Sequence, residues 1–207
     1  SGSAKETLEG KKAFEIIAQN AGITIKGYHA DNGIFRANEW VNSCNQLNQR
    51  LTFAGVNAHH QNGIAERRIK ELQELARTML IHANHRWPKC ISSELWPYAL
   101  RAANRSINEA PSMQDEGRKS PSQLFYKTNV LANPKHFQPF GCPAYVLENS
   151  SQANKPHHKW TTRSRVGINL GHSPAHGKNV NLILNRETGL VSPQFHVKYD
   201  PLFQTVK

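Results

Sequence analysis

"YHADNG", residues 28–33, decides how the first half of this chain is read. It follows "ITIKG", and Ile23, Ile25 and Tyr28 together read as a buried strand that ends at His29. The strand then delivers one carboxylate, Asp31, into an Asn-Gly turn. Asp and Asn are ordinary turn formers, because their short side chains bond the backbone two residues on. Taken alone, Asp31 reads first as turn punctuation and only second as chemistry, and the flanking sequence has to separate the two.

Upstream, "SAKETLEGKKAFEIIAQNAG" opens with a capping box, Ser3 to Glu6, and closes on Gly22. Leu8, Ala13, Phe14 and Ile17 give it an apolar face, so a helix is expected over 4–21. Downstream, "RANEWVNSCNQLNQR" places Trp40, Val41, Cys44 and Leu47 at helical spacing, and "LTFAGV", residues 51–56, reads as a short strand. Helix, strand, helix, strand argues for an α/β layer with parallel strands. "NAHHQNG", residues 57–63, is a polar loop, and "IAERRIKELQELARTMLIHA" is a long helix. Its apolar stripe is Ala65, Ile69, Leu72, Ala76 and Met79, and Arg67, Arg68, Lys70 and Arg77 decorate it.

A further helix is expected in "SSELWPYALRAANRSINEA", with Pro97 tolerated in its first turn. Residues 111–138 form a Pro-rich polar connector with a short helix at "SPSQLFY". From "PFGCPAYVL" onward the runs are short and β-rich, and "NRETG" is a hairpin signal between the last two. Three parts are therefore expected: an α/β part over 1–88, a helical extension and connector over 89–138, and a small, mostly antiparallel β module over 139–207.

Composition narrows the function. Of 207 residues, 26 are Lys or Arg and 15 are Asp or Glu, a formal charge of +11. Such an excess favours a polyanionic partner, nucleic acid ahead of membrane. No apolar run approaches the ~20 residues needed to span a bilayer, and the polar N-terminus does not read as a signal peptide. Cys44, Cys90 and Cys142 lie far apart and form no CxxC pair, so they read as small core residues of an intracellular protein, nuclear or cytoplasmic.

A second carboxylate, Glu66, falls in the first turn of the long helix, with 34 residues between it and Asp31. An acid there is also favoured simply by the helix dipole. Two carboxylates converging from a strand end and a helix start are suited to divalent metals, since hard Mg²⁺ prefers oxygen ligands. Two such ions about 4 Å apart serve phosphoryl transfer by activating the attacking oxygen and stabilising the leaving one.

"HADNG", this gap and "HHQNGIAERRIKELQELARTML" together resemble the second half of a retroviral-type integrase core, most closely that of copia-type long-terminal-repeat retrotransposons. "SPSQLFYKTNV", "HFQPFGCPAYVL", "RSRVGINLGHSP" and "ETGLVSPQFHVKYD" resemble the segments that follow the core in copia-type polyproteins. The resemblance implies a partial RNase H-like core with helical connector and β module. It also implies DNA end processing and strand transfer with Mg²⁺ or Mn²⁺ and DNA as partner, while an unpaired apolar edge along residues 23–29 leads to the expectation of a homo-oligomer or an aggregation-prone chain. Asp31 and Glu66 match the second and third acids of the family's catalytic and metal-binding triad. Asn57, His59, His60, Gln61 and Asn62 fall where the family's loop approaches DNA. Lys70, one turn beyond Glu66, is placed for a phosphate. The β module adds Lys155, Lys159, Arg163, Arg165 and Lys178 as candidate phosphate contacts.

The family's first catalytic Asp has no counterpart here: Glu6, Glu9 and Glu15 fall on a helix. The chain is thus expected to be an N-terminally incomplete integrase, inactive alone. The alternative is a non-catalytic basic nucleic-acid-binding module from a decayed or co-opted element. A zinc site at His59 and His60 is disfavoured, because adjacent histidines lack ligand spacing.

Overall fold

The computed structural model describes residues 3–55, 62–112, 118–148, 160 and 162–206. They form two compact units. The first comprises residues 1–70 with 122–129, and the second residues 71–121 with 130–207.

In the first unit, helix α1 (Ala4–Asn20) is capped by Ser3, whose hydroxyl accepts from the Glu6 amide. Strand β1 (Gly27–Ala30), helix α2 (Asn38–Gln46) and strand β2 (Arg50–Phe53) follow. β1 and β2 pair in parallel, Gly27 opposite Arg50 and Ala30 opposite Phe53. The parallel α/β expectation holds in this unit. The strands are shorter than the sequence suggested, and the reason is local. The Ile23 amide is still bonded to Ala18 of α1, and the Ile25 carbonyl is taken by the Gln49 side chain. Pairing begins at Gly27 because a Cβ there would lie 2.5 Å from the Arg50 carbonyl oxygen. The core is small: Ala18, Ala30, Trp40, Cys44 and Ala54 are buried. Tyr28 and Phe35 both meet the Trp40 ring edge-on, at 5.4 and 5.0 Å.

Lys11 is also in this core, 3% exposed. Its ammonium contacts Glu15 at 3.0 Å and donates to the Ser43 hydroxyl at 3.0 Å, with the Tyr28 and Trp40 rings nearby. A buried ammonium is tolerable only when paired and hydrogen-bonded, and Glu15 meets that need.

Helix α3 (Gly63–Arg86) begins in the first unit and continues into the second. The expected stripe divides accordingly: Ala76 is buried and Leu72 and Met79 half-buried, whereas Ala65 and Ile69 are exposed. Helix α4 (Trp96–Glu109) places Pro97 in its first turn, as expected, and a short helix α5 (Pro121–Phe125) occupies the connector.

The second unit's sheet contains β3 (Pro143–Leu147), β4 (Ser164–His172), β5 (Asn181–Asn185), β6 (Val191–Gln194) and β7 (Val197–Tyr199). Every pairing is antiparallel, in the order β6-β5-β4-β3-β7. Pro193 is confined to the edge strand β6, where a missing donor costs least. The core packs Ala76, Ala83, Trp87 and Ile91 with Ala99, Ala103, Phe140, Ile168 and Leu170. Gly141, at φ +80°, lies so close to α3 that an added Cβ would meet the Ala83 Cβ at 2.3 Å. Asn169, fully buried, donates to the Gln138 and Pro139 carbonyls and accepts from the Gly171 amide and the Asn181 side chain. No described helix is long and apolar enough to cross a membrane.

Candidate active site

Parallel strands point their carboxyl ends the same way, and the groups just beyond those ends are brought together. Ala30 and Phe53 are the paired last residues of β1 and β2. The Ala54 amide donates to the Ala30 carbonyl at 2.9 Å, and the Asn32 side chain donates to the Ala54 carbonyl. The exits of both strands are thereby tied together.

Asp31 stands at this edge, exposed, one residue beyond β1. Its Oδ1 accepts from the Gly33 amide at 3.1 Å, the turn geometry expected of Asp before Gly. A Cβ at residue 33 would approach that oxygen to 3.3 Å, so glycine leaves the carboxylate room. Glu66 is exposed in the first turn of α3. Both acids thus sit on the elements the sequence assigned them, at a strand end and a helix start of one unit. Exposed carboxylate oxygens suit a hard divalent cation. Among the described residues no group of three or more His, Cys, Asp or Glu is assembled for a metal.

The remaining candidates divide by position. Asn62, half-buried, immediately precedes α3, and Lys70 is exposed one turn beyond Glu66. Arg163 is exposed just before β4, and Lys178 is exposed between β4 and β5. Arg165 is half-buried in β4, with Nε 3.9 Å from Glu148, and its Nη1 is buried without a hydrogen-bond partner. Asn57, His59, His60, Gln61, Lys155 and Lys159 lie outside the described residues.

Two features escaped the sequence reading. One is the support behind β1: Glu15 accepts from Tyr28 at 2.9 Å and from Gln49 at 2.6 Å, beside Lys11. Burial pushes the Glu15 carboxyl up, but the Gln49, Lys11 and Tyr28 hydrogen bonds outweigh it and hold the group below its ordinary range. Burial, then the Glu15 charge, raises the Tyr28 phenol well above normal. The Lys11–Glu15 spacing of four residues was the available signal. The other is a groove lined by Tyr145, Phe195, His196 and Lys198. Its signal was the alternation in "PAYVL" and "FHVKY", which sets aromatic and basic residues on one face of a strand pair.

No protein-family model matches the chain. The chain is similar to a retrovirus-related Pol polyprotein from transposon RE1 of Arabidopsis thaliana, 31% identical over 142 residues. That match takes in 67% of this chain and 8% of the polyprotein, so the chain spans under a tenth of that relative's length. It is also similar to a chain in the cryo-electron-microscopy structure of the simian T-cell lymphotropic virus intasome in complex with PP2A regulatory subunit B56 gamma. That likeness has a TM-score of 0.46 and 14% identity, and covers 96% of this chain and 65% of that one.

Proposed function

Because this chain is related to retrotransposon Pol polyproteins, we propose that it is an integrase-derived polypeptide of copia type, whose first part is the second half of an RNase H-like core. Its role is DNA integration: binding DNA and contributing to metal-dependent end processing and strand transfer. The observation that carries the reading is the placement of Asp31 beyond the paired carboxyl ends of β1 and β2, with Glu66 in the first turn of the next long helix. In this reading the chain divides at 88 and 138 into core, connector and β module.

Asp31 and Glu66 would supply carboxylate oxygens to Mg²⁺ or Mn²⁺, which when bound neutralises charge developing on a phosphoryl group. The chain's own part is to hold the two acids and to engage phosphates through Lys70 and the basic residues of the β module, with Asn57, His59, His60, Gln61 and Asn62 facing DNA. Two protein carboxylates hold a divalent ion weakly. The 207-residue chain alone is therefore a DNA-binding polypeptide without joining activity. The test is Mn²⁺ titration followed by paramagnetic broadening of backbone resonances. Broadening centred on residues 31 and 66, lost in Asp31→Asn and Glu66→Gln, supports the site. Broadening elsewhere, or unchanged in both variants, overturns it. Mg²⁺-dependent joining of DNA by the purified chain, abolished by Glu66→Gln, would overturn the claim of inactivity.

The formal charge of +11 favours one second reading, a metal-independent nucleic-acid-binding module. It gains if both acid variants bind DNA like the parent and no Mn²⁺ site exists.

A further inference from the structure

The outward face of an antiparallel sheet in a small unit is ordinarily polar. That of β3 and β7 is not. Ala144 and Val146 of β3 point inward and are buried, so Tyr145 and Leu147 point outward. Lys198 lies directly opposite Tyr145, and Val166 of β4 flanks it on the other side, 39% exposed. The Leu147 amide donates to the His196 carbonyl, which sets His196 at the end of the same row. Phe195, 57% exposed, meets the His196 ring edge-on at 4.9 Å. With Arg163 and Ser164 these residues line an open groove of about 470 Å³.

Three properties of this groove bear on its occupant. It offers flat aromatic surface to solvent, which exposed patches of this kind rarely do without a partner. Among the described residues its charged lining groups, Arg163 and Lys198, are both cationic, and no carboxylate lines it. The nearby acid Glu148 is directed to Arg165. Aromatic rings interleaved with cations on a sheet surface match the chemistry of unpaired bases, whose π-faces stack while their phosphates need neutralising. A duplex buries those π-faces in its own stack and offers mainly phosphates to such a surface.

We infer that the outer face of β3 and β7 is a binding site for single-stranded nucleic acid. Bases stack on Tyr145 and Phe195, and Arg163 and Lys198 contact the adjacent phosphates. This rests on the nucleic-acid reading above, with which it shares Arg163, and adds the aromatic surface and a strand state that reading does not specify.

The test uses the full chain and fluorescence anisotropy with three probes of equal length: a single-stranded thymidine oligomer, a single-stranded abasic oligomer and a duplex. The thymidine oligomer should bind at least about fivefold more tightly than the abasic one, the smaller end of what one stacked base contributes. Phe195→Ala, at an exposed position that leaves folding intact, should erase that difference without weakening the duplex. Phe195→Trp should preserve it, and Lys198→Gln should weaken both single-stranded probes alike. Equal affinity for thymidine and abasic oligomers, or an undiminished difference in Phe195→Ala, overturns the inference. Duplex binding without a base-dependent difference would sink this site alone and leave the DNA reading standing. Failure of all three probes would sink both.

Discussion

The side-chain amide of Asn32 donates to the backbone carbonyl of Ala54, joining the residue after Asp31 to the residue after β2. This bond links the two strand exits at the candidate active site, and it is made by a side chain that only an amide donor can replace. Asn32→Ala is expected to destabilise the first unit by about 1–2 kcal/mol, the cost of a lost hydrogen bond and an unmatched carbonyl. Asn32→Asp should cost more, since a carboxylate would face that carbonyl. Urea denaturation of the three proteins measures both; an Asp variant as stable as the parent would show that the bond does not hold the strands.

The Lys11–Glu15 pair sets the acid sensitivity of the same unit. The folded carboxyl of Glu15 is held below its ordinary range, so the unfolded chain takes up a proton first as pH falls. The stabilisation is therefore complete above the unfolded carboxylate pKa of ~4.3 and is lost as pH falls through the folded value. Glu15→Gln should cost on the order of 2–3 kcal/mol near neutrality, because it leaves the Lys11 ammonium buried beside a neutral amide. The parent and variant should converge as pH falls through the lowered folded value of Glu15. A stability difference that does not change with pH would show that the charge of Glu15 is not what matters.

Gly141 is required twice over, by its φ of +80° and by the 2.3 Å that would separate an added Cβ from Ala83. Relieving this contact means moving α3 or the start of β3, both parts of one packed core. Gly141→Ala should destabilise the second unit by roughly 2–4 kcal/mol. Gly189→Ala is the control: its φ is +70°, but nothing lies within 4 Å of its Cβ position. It should cost only the backbone term, about 1 kcal/mol. Thermal unfolding that ranks the two equally would contradict the packing argument.

What the sequence disclosed follows from how local each signal is. The Ser3 cap, Pro97 in its first turn and the hairpin at Asn185–Gly189 are set by neighbours within a few residues, and each stands where it was expected. The Asp31 turn is equally local, its carboxylate bonded two residues on. Strand limits are not local. β1 starts at Gly27 because of Arg50, and Ile25 is diverted by Gln49, both distant in sequence. Nothing near Lys11 in sequence marks it for burial, which depends on Trp40 and Ser43 of another helix. Alternation turns Tyr145 and Lys198 each to an outward face, but that they stand side by side required the β3–β7 register.

Duplex binding should be dominated by counterion release, so log K should fall linearly with log salt, by roughly 0.9 for each phosphate neutralised. Arg163 and Lys178 are exposed and belong to the candidate contacts. Replacing both with Gln should lower the slope by about 2 and weaken binding similarly for unrelated sequences. Affinity unchanged between low and moderate salt would remove the electrostatic basis for DNA binding.

Among the described residues the first unit's sheet has two strands, and neither β1 nor β2 has a second neighbour. Parallel strands are ordinarily covered on both faces and continued on both sides, and an open edge presents unpaired N–H and C=O groups to any other chain. The helix in front adds to the exposure: Phe14, Ile16 and Ile17 of α1 are 43, 58 and 47% exposed. Apolar side chains beside an unpaired strand edge make a surface that favours association. The isolated chain is therefore expected to associate through β1 and α1, with scattering that rises with concentration. Ile16→Lys should reduce it, because a charge at an already exposed position opposes contact without disturbing the core. Hydrogen exchange supplies the independent readout: the Gly27 and His29 amides, on the side of β1 turned away from β2, should exchange fast at low concentration and become protected as association proceeds. A cooperatively unfolding monomer, with the Gly27 and His29 amides protected at every concentration, would refute an open edge at β1.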